Sequence, residues 1–163
     1  MSKVQVGKIK GRFTFRTAAV LFLISAVFEV LNLNVEVPLL GTVRGGVPAI
    51  TYHLLYGALF SAAGFGLWQA KRFGYTAVMA GAVLYTVDRG LLLFDHTTME
   101  AYLSGQLAAY GDLAQIIDMD SVIALTMLAS VLFIAGWWGF ALYTHWRRAY
   151  FQPQPGVAES ETE

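Results

Sequence analysis

The chain has 163 residues, a formal net charge of zero, 56% hydrophobic residues and 13% charged ones. Soluble domains carry about 25% charged residues, and four long apolar runs separate the charges here, so the expected solvent is a bilayer. That composition excludes a disordered chain, a basic nucleic-acid binder and a disulfide scaffold; with no cysteine, thiol catalysis, Cys-ligated zinc, iron–sulfur clusters and haem attached through CxxCH are excluded too.

In chain order, a basic segment (Lys3, Lys8, Lys10, Arg12, Arg16) precedes the first apolar run, residues 17–33, which is interrupted only by Glu29 and Asn32. A secretory signal would be followed by small residues at a cleavage site; Glu29-Val30-Leu31-Asn32 stands there instead, so this run is read as a retained span. Residues 34–46 hold Pro38, Gly41, Gly45 and Gly46, a turn-rich excursion. The second run, 47–70, has one strongly polar residue near its start, His53. A short basic turn around Lys71-Arg72-Phe73-Gly74 joins it to the third run, 73–94, as an antiparallel hairpin. The third run contains Asp88 and Arg89. Between it and the fourth run, 121–143, Met99, Tyr102, Leu103, Leu107, Tyr110, Leu113 and Ile117 recur at helical spacing, broken by Gly105 and Gly111. This predicts a broken amphipathic helix on the outer interface. Residues 1–151 then form one domain, and residues 152–163 a disordered cytoplasmic tail.

Each run is near the roughly 17–25 residues that a helix needs to cross a bilayer, and none alternates as a membrane strand would. The expected fold is an all-α integral membrane protein: an antiparallel bundle of four transmembrane helices with an interfacial outer helix between spans three and four. Nine of the eleven Lys and Arg residues fall on one side of the spans, which puts both termini in the cytoplasm of a multi-pass cell-membrane protein. Trp68, Trp137, Trp138, Tyr143 and Trp146 read as aromatic anchors near the cytoplasmic ends. Gly57, Ser61 and Gly64, and separately Gly74, Gly81 and Tyr85, form small-residue stripes suited to close helix packing or to a homo-oligomer face.

Laying the spans antiparallel reveals a polar layer. At 1.5 Å rise per residue, Glu29, His53, Asp88, Arg89 and Thr126 lie about 6–9 Å below one outer surface. Asp95 and His96 stand at the mouth above them. Charges inside a span are costly and need partners, so the expected pairs are Arg89 with Glu29, and Asp88 with His53 or water. Adjacent Asp88 and Arg89 point about 100° apart on a helix and are not expected to pair. The layer is either a structural staple or a ligand site.

Four functions compete for it. The leading one is a non-catalytic membrane subunit or binding protein acting in a larger membrane complex, with membrane lipid, a protein partner or a second copy as its partners. The alternative is a small membrane enzyme or cofactor- or metal-binding protein using Glu29, His53, Asp88 and Arg89, with no catalytic assignment. No HxxxH or HExxH spacing marks a metal site, so no metal ligand is assigned and the cofactor stays unknown. Transport is disfavoured because no repeat or broken span is visible.

Overall fold

Helix α1 (Arg12–Leu31) starts at Gly11, whose φ of 103° is a conformation that favours glycine. Beyond its end a short antiparallel hairpin forms from β1 (Val37–Leu39) and β2 (Thr42–Arg44), with Val37 opposite Arg44. Helix α2 (Val47–Trp68) follows Gly46 (φ 62°) and carries Pro48 in its first turn, where a missing N–H costs nothing. Helices α3 (Arg72–Phe94), α4 (His96–Ala108) and α5 (Met119–Trp146) and a 3₁₀ turn (Arg148–Phe151) complete the order. This computed structural model describes residues 11–39, 42–108 and 118–151. Helices α1, α2, α3 and α5, of 20, 22, 23 and 28 residues, are long and apolar enough to cross a membrane.

Several boundaries differ from the sequence reading. The excursion 34–46 contains a β-hairpin as well as turns. Its strands are three residues long, and Pro38 is tolerated because a two-stranded ribbon consists only of edges. Helix α4 passes through Gly105 without a break, since a single glycine costs a helix only about 1 kcal/mol. The expected continuation through Gly111 to Ile117 and the tail 152–163 lie outside the described residues. Helix α5 starts two residues earlier and ends three later than the fourth run.

Contacts alternate in direction along the chain. Gly64 meets Ala19 and Leu23, while Gly57 meets Glu29, so α1 and α2 run oppositely. Gly66 lies against Gly74, and Tyr52 against Asp88, which reverses α2 and α3. Gly81 packs on Trp137, and Tyr75 on His145, which reverses α3 and α5. The joint between α2 and α3 is a Schellman turn: Lys71 N–H donates to Gly66 C=O (2.9 Å) and Ala70 N–H to Leu67 C=O (3.3 Å). Ala70 occupies the left-handed position (φ 57°) that glycine usually takes.

The apolar core gathers at the end where α1 begins and α5 finishes. Phe15 and Leu67 are fully buried there, among Ala63, Val78 and Ala141. The 3₁₀ turn folds Tyr150 and Phe151 onto Phe15, and the Tyr150 hydroxyl donates to Leu67 C=O (3.1 Å). Trp137 is not an end anchor. It packs midway along α5 against Phe22, Phe60 and Tyr85, making an aromatic layer across four helices.

At the opposite end, Asp118 caps α5, accepting from the N–H and hydroxyl of Ser121. Those bonds favour the carboxylate and hold its carboxyl below the usual range. A depressed folded value means the cap stabilises above the ordinary aspartate value of about 3.9 and is lost as pH falls through the folded value. Protection of the Ser121 and Val122 amides, as exchange relative to the unstructured rate at the same pH, is therefore expected to fall below about pH 4, and the Asp118→Asn variant to lose that acid dependence.

Candidate functional site

Polar side chains from three helices meet at the hairpin end, in two groups. The first joins α1, α2 and the segment before β1. Glu29 Oε2 lies 2.7 Å from His53 Nδ1, and His53 Nε2 lies 3.1 Å from the C=O of Val35. Gly57, one turn past His53, lies against Glu29 on the same face: a β-carbon there would stand 3.6 Å from Glu29 Cβ, in ordinary contact. The Val35 carbonyl can only accept, so Nε2 carries a proton. A further proton lies between Nδ1 and the carboxyl, on one atom or the other. The pair is thus neutral overall, with both imidazole nitrogens satisfied, and His53 is buried.

The second group joins α2 and α3. The Tyr52 hydroxyl donates to Asp88 Oδ2 (2.9 Å). Arg89 Nε stands 3.4 Å from the same oxygen, too poorly aligned for a hydrogen bond, and is buried with no hydrogen-bond partner among the described residues. The guanidinium lies over the ring of Tyr85 at 5.6 Å, a contact that returns part of the cost of its burial. Tyr52 packs against Tyr56 (ring centres 4.6 Å apart), and Tyr56 against Phe60 (5.8 Å), both pairs tilted, so an aromatic ladder along α2 runs from Asp88 to the Trp137 layer.

The expected pairings are corrected here. Glu29 takes His53, not Arg89, because the tight α1–α2 contact brings that face of α2 to α1. Asp88 takes Tyr52 rather than His53. Asp88 and Arg89 do approach one another, because the long arginine arm folds back past Tyr85 although the two Cβ directions diverge. Thr126 does not join: its hydroxyl donates to Val122 C=O on its own helix (2.8 Å), a bond any helical threonine can make. At the expected mouth, Asp95 closes the first turn of α4 by accepting from the N–H (3.0 Å) and hydroxyl (2.7 Å) of Thr98. Those bonds hold its carboxyl below the usual range. His96 is exposed beside it.

A cavity of about 180 Å³ opens beside the second group. Its polar lining is Tyr52, Tyr56, Asp88, Asp95 and Thr98. Its walls are apolar, with Leu55, Leu84, Val87 and Leu91 at the open side and Pro38 and Leu39 of β1 above. The two groups are therefore connected: His53 holds Val35, two residues before β1, and β1 roofs the cavity. Among the described residues, no three His, Asp or Glu side chains come together as a metal site would require. Sequence reasoning missed Tyr52 and Tyr56. Their signal was available: they flank His53 one turn apart, at the depth of Asp88. Comparison with protein-family models, with curated proteins and with solved structures gives no match to this chain.

Proposed function

We propose that the protein is a non-catalytic integral membrane binding protein, a four-helix bundle with both termini in the cytoplasm, whose outer-leaflet end takes an amphiphile from the bilayer. The membrane setting is supported by the surface of the four long helices. Phe13 is 84% exposed and Leu125 66%, and contiguous apolar surface of this kind is rare on soluble monomers. The orientation is supported by the nine basic residues on the side of the chain ends.

The observation that carries the binding reading is the cavity between α2 and α3. Its open side is lined by half-exposed Leu55, Val87 and Leu91, which would lie at acyl-chain depth, while Asp88 and two phenols stand at its polar end. Ligand sites of this kind combine apolar walls with a few convergent polar groups. A pocket of about 150 Å³ is enough to hold a benzene ring, so this one suits a head group with the first part of its chain. A catalytic role for Glu29 and His53 is less well supported, because each is already spent on the other and on Val35.

The test is retention. Protein purified in neutral maltoside micelles is expected to carry about one amphiphile per chain, read by native mass spectrometry. Leu55→Trp, which fills the cavity from a half-exposed position, should remove that molecule without lowering the melting temperature. Equal retention by the wild type and Leu55→Trp, or no retention by either, would overturn the proposal.

A further inference from the structure

We infer that the head group taken by this cavity is an ammonium bearing a single positive charge; the inference rests on the reading of the cavity as an amphiphile site. The first argument is charge. Among the described residues, two carboxylates, Asp88 and Asp95, line the cavity, and no lysine, arginine or histidine does. Arg89 sits against Asp88 at 3.4 Å and over the ring of Tyr85. Arg89 is engaged by Asp88, so Asp95 at the rim faces the cavity with no cationic partner among the described lining residues. A carboxylate or phosphate placed there would meet both Asp88 and Asp95, and like charges at close range disfavour each other.

The second argument is the aromatic wall. Tyr52 and Tyr56 line the cavity with their rings 4.6 Å apart and tilted by 36°, and a cation near such ring faces is attracted by their quadrupoles. Asp88 already takes the Tyr52 hydroxyl, and Asp95 takes two bonds from Thr98, but a carboxylate has about four lone-pair sites. An N⁺–H donor therefore finds acceptors where a neutral alcohol finds a weaker match. The third argument disfavours a bare metal ion: among the described residues no third His, Asp or Glu joins the two carboxylates, and Leu55, Leu84, Val87, Leu91 and Leu92, with Pro38 and Leu39, make most of the remaining lining apolar, which suits a chain attached to the charge.

The experiment uses the full chain in neutral maltoside micelles, with one-to-one adducts counted by native mass spectrometry across a titration. The probes are octylamine, octanol and octanoate, and, at matched chain length, lysophosphatidylethanolamine and lysophosphatidylglycerol. Octylamine is expected to bind at least tenfold more tightly than octanol. Asp95→Asn should shrink that ratio severalfold while the asparagine keeps the α4 cap, and Asp88→Asn should shrink it further. Asp95 lies at the rim, so its variant carries the test even if Asp88→Asn fails to fold.

Binding of lysophosphatidylethanolamine, but not lysophosphatidylglycerol, at the octylamine level would support the inference with a lipid head group as the source. Octylamine binding alone would support it with a free amine. Octanol equal to octylamine, octanoate tighter than either, or an unchanged ratio in Asp95→Asn would overturn the ammonium while leaving the amphiphile cavity in place. No adduct with any probe, together with no effect of Leu55→Trp on native retention, would overturn both.

Discussion

His53→Leu is expected to lower the unfolding free energy by about 2–4 kcal/mol, measured by dodecyl sulfate titration from mixed micelles. Removing one member of a buried ion pair costs about 3–5 kcal/mol because the other charge is left without compensation. Glu29 retains 21% of its side-chain exposure, so water trims that figure. Glu29→Leu should cost a similar amount. The double variant should recover most of the loss, because two packed leucines replace a desolvated pair at little net cost. Additive losses in the double variant would show that the two side chains act independently, against the 2.7 Å contact. A second readout separates the pair from general destabilisation. Loss of the imidazole frees the Val35 carbonyl, so amide exchange at Val37 and Leu39 should rise in His53→Leu more than exchange in the distant Phe15–Leu67 core.

The largest loss is expected at the α2–α3 joint. A methyl group on Gly66 would overlap the Cα and N of Gly74, and one on Gly74 would overlap the Gly66 backbone. Overpacking against flexible side chains typically costs about 1–3 kcal/mol, but here the neighbours are main-chain atoms that can yield only by moving a helix. Gly66→Ala and Gly74→Ala should each therefore cost about 3 kcal/mol or more by the same titration. Gly90, on α3 with Gly74, has open space where its β-carbon would stand, and Gly90→Ala should cost nothing. Equal tolerance at all three positions would contradict the close approach.

The long elements were readable because each apolar run is bounded by charge, and hydropathy over about 20 residues does not depend on tertiary detail. That Glu29, His53 and Asp88 come to a common level along the helices was readable from rise per residue alone. Their partners were not. Pairing depends on how each helix is rotated, and that is set by contacts such as Gly64 against Leu23 and Ala19, which no single run encodes. Charge alone suggested Arg89 with Glu29, whereas the fold joined Glu29 to a histidine and let Arg89 curl back on its own neighbour. Thr126 sits near the right depth on a helix whose contacts lie elsewhere. The β-hairpin was hidden by its three-residue strands and by Pro38, while the cavity beside it draws on four elements, β1, α2, α3 and α4.

On the membrane reading, the two polar groups also differ in what they imply for how the chain would enter a bilayer during synthesis. Asp88 and Arg89 are neighbours on α3 and reach each other within one helix, so that span brings its counter-charge with it. Glu29 has no such companion on α1; its partner emerges 24 residues later. A carboxylate alone costs about 2.5–3.5 kcal/mol at the centre of a span and less near its end. On the membrane reading, α1 is therefore a poor solitary passenger, and the first two helices should be released into lipid together, already joined through the imidazole.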